Sequence, residues 1–256
     1  MKADRYLFDG SHPCALRKLP CDNKDDHVKK EDILAKTAEN LEKMAALQDA
    51  FYADGREGLV IILQALDAAG KDSTIKHVMG GLNPQGVQVT SFKQPTSEEL
   101  HHDFLWRVNK ALPPRGSIAI FNRSYYEDVL VVQVHDLQKT YQMAPRVLED
   151  SKKDFFEKRF LERIDRPEKN WKFSCSDLKE RMRFDEYLDT FDEVITATAT
   201  KHSPWYAIPA DQKWYTRYLV SEIVLDALQK SCHEYPVLSD DAKAELLNCK
   251  AALEQE

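Results

Sequence analysis

Leu59-Val-Ile-Ile-Leu63 is a continuous apolar run, and seven residues after it the chain reads Gly70-Lys71. A short unbroken run of this kind predicts a strand covered on both faces. A Gly-Lys pair where a helix begins predicts a phosphate-binding loop, because such a loop needs three things. They are backbone N–H groups converging at a helix N-terminus, a glycine for close approach, and a lysine for the phosphoanhydride charge. The segment departs from the G-x-x-x-x-G-K-[ST] pattern twice: Ala65 stands at the first glycine and Asp72 at the hydroxyl position, with Ser73 and Thr74 following. Ala68, Ala69, Gly70, Lys71, Asp72, Ser73 and Thr74 are the candidate phosphate-binding residues. Asp67 adds a carboxylate inside the loop, suited to holding Mg²⁺ or orienting a phosphate acceptor. The competing reading is a plain strand–turn–helix with a surface lysine.

The surrounding pattern alternates strands with helices. Apolar positions from Val28 to Tyr52 recur at helical spacing and stop at Asp54-Gly55, predicting a long amphipathic helix. A helix from Gly70 should bury Ile75, Val78, Met79 and Leu82. Val87–Ser91 and Ser117–Phe121 read as further strands. Thr96-Ser-Glu-Glu99 is a capping box, predicting a helix with Leu100, Phe104, Val108 and Leu112 inward. Later helices are expected from Asp177 to about Thr200 and from Trp214 to about Leu228, with Tyr206–Pro209 a short last strand. Residues 1–26 show no period and read as an extended arm. The whole is expected to be one α/β domain with a central parallel sheet.

Two further clusters carry chemistry. Asn122-Arg-Ser-Tyr-Tyr-Glu-Asp128 follows the third strand, at the sheet edge where open α/β folds bind ligands. Arg123 suits phosphoryl oxygens, and Glu127 and Asp128 suit a metal or substrate. Alone, this is equally a polar loop capping a strand. From Lys158 to Arg183 there are nine basic and five acidic residues, an island of positive charge in a chain of net charge −7. Such an island is a candidate polyanion site, or else a solvated, salt-bridged surface.

The overall acidity argues against nucleic acid as a partner. No apolar run approaches the length needed to span a bilayer, and the first ten residues lack the apolar core of a signal peptide. The five cysteines show no ligand spacing and read as free thiols, so a cytoplasmic protein is expected.

Taken together, the segments Gln64–Asp72, Ser91–Thr96, Leu105–Val108, Phe121–Leu130, Pro167–Phe173 and Ser203–Tyr215 resemble the polyphosphate kinase 2 family, in that family's order. The form Asn122-Arg-Ser-Tyr-Tyr-Glu-Asp-Val-Leu130 resembles its class III, whose members phosphorylate nucleoside mono- and diphosphates. The resemblance implies a P-loop kinase-like three-layer αβα fold with a helical lid. It also implies Mg²⁺-dependent, reversible transfer of the terminal phosphoryl of inorganic polyphosphate to AMP and ADP, giving ADP and ATP. By the same resemblance Asp67 and Asp128 bind Mg²⁺ and orient the acceptor, and Lys71 and Arg123 stabilise the phosphoryl in flight. Lys93, Arg123 and Glu127 contact the nucleotide, while Lys169, Lys172, Arg181 and Arg183 form a lid region spanning about 158–200. Homo-oligomers are common in the family.

One departure stands out. Asp154-Phe-Phe-Glu-Lys158 runs directly into Arg159-Phe-Leu-Glu-Arg163 where the family continues through a helix and a buried strand, a unit on the order of thirty residues. Either the chain has lost that unit, or a segment intervenes that the sequence does not include. A non-catalytic polyphosphate- or nucleotide-binding variant and an ATP-dependent nucleotide kinase are the alternative functions.

Overall fold

The computed structural model describes residues 1–24, 27–66, 69–134, 182–231 and 234–254. Five strands and seven α-helices are used below: β1 (Leu7–Phe8), α1 (Lys30–Asp54), β2 (Leu59–Leu63), α2 (Lys71–Val78), β3 (Val87–Ser91), α3 (Trp106–Lys110), β4 (Ile118–Asn122), α4 (Tyr126–Val134), α5 (Phe184–Thr198), β5 (Trp205–Tyr206), α6 (Lys213–Lys230) and α7 (Asp240–Leu253).

The main sheet has the order β2-β4-β3 and is entirely parallel, with Leu63 and Ser91 both opposite Asn122. All three strands therefore end at one edge. β4 is central, and its alternation divides the core. Ile118 and Ile120 face a layer built from α1, α2 and α6, where Met44, Phe51, Val78, Val224 and Leu228 pack. Ala119 and Phe121 face Phe92, Val108 of α3 and Ala111 just beyond it. The predicted α/β fold with a parallel sheet is the one observed. A third cluster joins α4 to α5 through Leu130, Tyr187, Phe191 and Val194.

Several local features follow from single residues. Gly55 closes α1 in the left-handed conformation (φ 62°), its N–H donating to the Phe51 carbonyl at 3.2 Å. Among the described residues β2 lies at the edge of the sheet, and all five of its residues are only half-buried. The expected two-sided cover belongs instead to β4, which has a hydrogen-bonded neighbour on each side and buries Ile118–Phe121 completely.

The capping box forms as predicted, with Thr96 N–H donating to Glu99 Oε2 at 2.7 Å and Glu99 N–H to Thr96 Oγ1 at 3.2 Å. It opens only a 3₁₀ turn, however, and Leu100, Phe104 and Leu112 are exposed. The cause is local: Asp103 accepts from the Leu105 N–H at 2.9 Å, so the side chain competes for a backbone donor and restarts the chain as the short α3.

The N-terminal arm runs through a 3₁₀ turn (Lys2–Tyr6) into β1, which pairs antiparallel with β5 away from the main sheet. Ala3 and Tyr6 are fully buried against Tyr215, Tyr218 and Leu219 of α6. The α5 helix begins at Phe184 rather than Asp177, and 177–181 lie outside the described residues. So do both sides of the Lys158–Arg159 join.

Candidate active site at the strand ends

The site is built where β2 and β4 end side by side. After Leu63 the chain turns through Gln64–Leu66, and it re-enters at Ala69, whose N–H donates to the Leu66 carbonyl at 3.3 Å. Gly70 then takes φ 101°, a left-handed value that a side chain would strain, and caps α2. This brings the N-terminal end of α2 to the sheet edge, where the helix dipole favours an anion.

Lys71 folds back across the loop. Its ammonium donates to the Ala65 carbonyl and, at 3.0 Å, to the Leu66 carbonyl. Asp72 accepts from the Asn122 amide at 3.1 Å, tying the first turn of α2 to the end of β4. Ser73 accepts from the Arg217 guanidinium at 3.0 Å, tying the same turn to α6.

Arg123 continues β4 with φ 68°, a left-handed value that is uncommon outside glycine and that costs conformational energy. Its N–H donates to the Leu63 carbonyl at 3.1 Å, so the bend holds the β2 and β4 ends together. Its guanidinium turns to Glu127 at 3.4 Å. The other oxygen of Glu127 accepts from the Gln64 amide at 2.7 Å, and the Gln64 carbonyl oxygen accepts from the Ser124 hydroxyl at 3.3 Å. Ser124 is fully buried and receives the Tyr126 N–H at 3.1 Å, which starts α4. Arg123, Ser124, Glu127 and Gln64 are thus one hydrogen-bonded group spanning two strands.

On the far side of β4, Phe92 N–H donates to the Asn122 carbonyl at 3.1 Å, which sets Lys93 at the same edge with an exposed side chain. The Lys93 carbonyl accepts from Arg107 at 2.8 Å, and Arg107 lies over the Phe92 ring at 5.3 Å. Among the described residues, burial and then the Arg217 charge lower the His77 pKa, and burial lowers that of Arg217.

The structure therefore brings Ala69, Gly70, Lys71, Asp72, Ser73, Thr74, Lys93, Arg123 and Glu127 to one edge. Asp67, Ala68, Lys169, Lys172 and Arg181 lie outside the described residues, and Asp128 is described only as a backbone position in the first turn of α4. Arg183 caps α5 and pairs with Glu186 at 3.3 Å. Sequence reasoning passed over Gln64, Asn122, Ser124 and Arg217. Gln64, Asn122 and Ser124 fall inside the quoted motifs without a role and Arg217 lies outside them; the β2–β4 register and the α2–α6 contact reveal what they hold.

The strands that precede positions 67 and 128 end side by side, with Leu63 opposite Asn122, and carboxylates are the hard oxygen donors Mg²⁺ takes; Asp67 and the Asp128 side chain themselves lie outside the described residues. No group of three or more His, Cys, Asp or Glu side chains able to hold a metal occurs among the described residues.

The polyphosphate kinase 2 family model matches residues 27–157 and 149–236, two overlapping stretches whose overlap ends next to Lys158. A curated AMP/ADP-polyphosphate phosphotransferase of Meiothermus ruber is 42% identical over 253 positions, covering 91% of this chain and 88% of that protein. An ADP-polyphosphate phosphotransferase of Rhodopseudomonas palustris is 41% identical over 245 positions, covering 83% and 85% respectively. The crystal structure of polyphosphate kinase 2 from Arthrobacter aurescens TC1 superposes with a TM-score of 0.85 at 34% identity, over 99% of this chain and 96% of that one.

Proposed function

Since the chain belongs to the polyphosphate kinase 2 family, we propose that it transfers the terminal phosphoryl group of inorganic polyphosphate to AMP and ADP, reversibly, forming ADP and ATP. The observation that carries this reading is the loop at the end of β2, where Lys71 and the first turn of α2 stand beside Arg123 and Glu127 of the adjoining strand end.

Phosphoryl transfer asks a protein mainly for positioning and for positive charge where charge moves. Here the α2 N-terminus and Lys71 receive the phosphoryl being transferred, and Arg123 neutralises its oxygens from the opposite side. Glu127, gripped on both oxygens, orients the Arg123 guanidinium and the acceptor. Lys93, at the β3 end of the same edge, faces the nucleotide. Asp67 and Asp128 would hold Mg²⁺, which when bound supplies charge neutralisation between donor and acceptor phosphates. Lys169, Lys172, Arg181 and Arg183 supply further cations to the donor chain.

The proposal extends to a cytoplasmic homo-oligomer with no nucleic-acid partner. In its support, no helix among the described residues is long and apolar enough to cross a membrane, and α7 leaves Leu246, Leu247 and Leu253 exposed. Light scattering reads the oligomer directly. The activity is tested by supplying AMP or ADP with long-chain polyphosphate and Mg²⁺. Phosphorylated nucleotide is expected, with its formation abolished by EDTA. Transfer from ATP that ignores polyphosphate would replace this reading with a conventional nucleotide kinase.

A further inference from the structure

The N-terminal arm ends where the family match begins, at residue 27, yet it makes an ordered series of bonds along one face of α5. At Gly10 (φ 85°) the arm crosses the end of that helix so closely that a Cβ would stand 2.5 Å from the Ala199 carbonyl oxygen. Cys14 N–H then donates to Thr196 Oγ1 at 2.8 Å, and Leu16 N–H to Asp192 Oδ1 at 2.8 Å. Arg17 ends the series. Its guanidinium donates to the Asp189 carboxylate, and to the Asp185 carbonyl and carboxylate at 3.2 and 3.3 Å. Thr196, Asp192, Asp189 and Asp185 are spaced four, three and four residues apart, which puts them on one face of the helix. The arm therefore lies antiparallel along α5 for about three turns.

Arg17 is the anchor of this strap. Asp185 is buried, and among the described residues Arg17 is the cation that pairs with it. A buried carboxylate deprived of its counter-charge is costly, so this pair does not readily exchange for water. What α5 holds in turn is α4. Tyr126 and Leu130 of α4 share a buried cluster with Tyr187 and Phe191 of α5, and Phe8 and Cys14 of the arm complete it. Tyr126 opens α4, and the next residue is Glu127, which is bonded to Gln64 and Arg123 at the strand ends. The helix is thus fixed at its start by β2 and β4, and along its apolar face by α5 and the arm.

We propose that Arg17 is a positioning residue: by locking the arm to α5 it holds the surface on which α4 is seated, and so sets the turn carrying Glu127 and Asp128 against the phosphate loop. The catalytic consequence rests on the reading that the chain transfers a phosphoryl group at that turn. Arg17 itself meets α5 and not the strand ends, so its influence on the reaction passes through packing.

The test compares Arg17→Met, Arg17→Lys and Gly55→Ala in the full chain. Gly55 precedes β2 and stands at the opposite edge from the site, so its variant reports a loss of stability alone. Phosphorylation of ADP is followed with long-chain polyphosphate and Mg²⁺. Arg17→Met should lower kcat by about tenfold to a hundredfold, as a small misplacement of catalytic groups does, and leave the polyphosphate KM unchanged. Arg17→Lys keeps a cation beside Asp185 and should recover most of that loss, and Gly55→Ala should keep the wild-type kcat. Should Arg17→Met fail to fold, Asp189→Ala, which removes a half-buried partner of Arg17, carries the test with the same outcomes. A wild-type kcat in Arg17→Met, an equal loss of kcat in Gly55→Ala, or a raised polyphosphate KM at unchanged kcat would overturn the assignment.

Hydrogen exchange of the α4 amides, which needs no turnover, separates the two readings. If the wild-type chain turns over no polyphosphate, the functional reading fails. The strap then stands on faster α4 exchange in Arg17→Met than in Gly55→Ala, or falls with equal exchange in the two.

Discussion

The Glu127 carboxylate is held on both oxygens, by Gln64 at 2.7 Å and by Arg123 at 3.4 Å, before any substrate arrives. Gln64→Leu removes that grip and strands the hydroxyl of fully buried Ser124. The expected cost is about 1–3 kcal/mol of stability, read by denaturant melts, because a buried polar group loses its partner. Activity should fall as well, since Arg123 loses its fixed orientation; a variant with unaltered kcat would show the grip to be structural only. Lys71→Met should behave in the opposite way, lowering kcat about 10²–10³-fold with little change in melting temperature. Asp67→Asn and Asp128→Asn should each cost at least about as much in rate with the fold kept. Wild-type rates in either variant would mean the acidic pair is misassigned. At this scale the sequence exposed Lys71, Arg123 and Glu127 because a known pattern points at them. Gln64 and Arg217 stayed hidden because a glutamine after a strand, or an arginine in a helix, has no meaning until the neighbouring element is placed against it.

Among the elements, two glycines with positive φ make a controlled comparison. Gly55 closes α1 with no heavy atom within 4 Å of where a Cβ would stand, so Gly55→Ala pays only for backbone strain. That strain is about 1–2 kcal/mol, or roughly 2–8 °C in melting temperature, with kcat unchanged. Gly70→Ala meets the same strain at φ 101°, but in the loop that aims the α2 N–H groups. Its kcat should fall by at least about tenfold for a similar loss of stability. Equal activity in the two variants would contradict the role given to the loop. The main strands and α1, α2 and α6 were legible because burial enforces a period along each of them. The region after Thr96 was misread because a correct cap says where a helix starts, not that it continues, and Asp103 ends it by a local hydrogen bond. The β1–β5 pair was only half visible: two residues are too few to show a period, and their partner lies nearly 200 positions away.

For the whole molecule, β4 is the keystone, since its two faces carry separate core clusters and its end carries Arg123. Ile120→Ala should cost about 2–5 kcal/mol, because the site is fully enclosed and cannot collapse easily. The Lys158–Arg159 join is a question of covalent continuity. Since the flanks match the family so well, an intervening segment is the expected result, read as an intact mass larger by about thirty residues. A chymotryptic peptide carrying Lys158 and Arg159 in direct succession would show instead that the helix–strand unit has been lost. The fold class was readable because alternating strands and helices permit few packings, while the tie between Ser73 and Arg217 required the α2–α6 contact. The most direct measurement is ³¹P NMR of ADP with long-chain polyphosphate, Mg²⁺ and the intact chain. The account predicts ATP resonances that grow as polyphosphate end groups turn over, and no ATP when polyphosphate is left out. An unchanged spectrum, or ATP formation indifferent to polyphosphate, would contradict it.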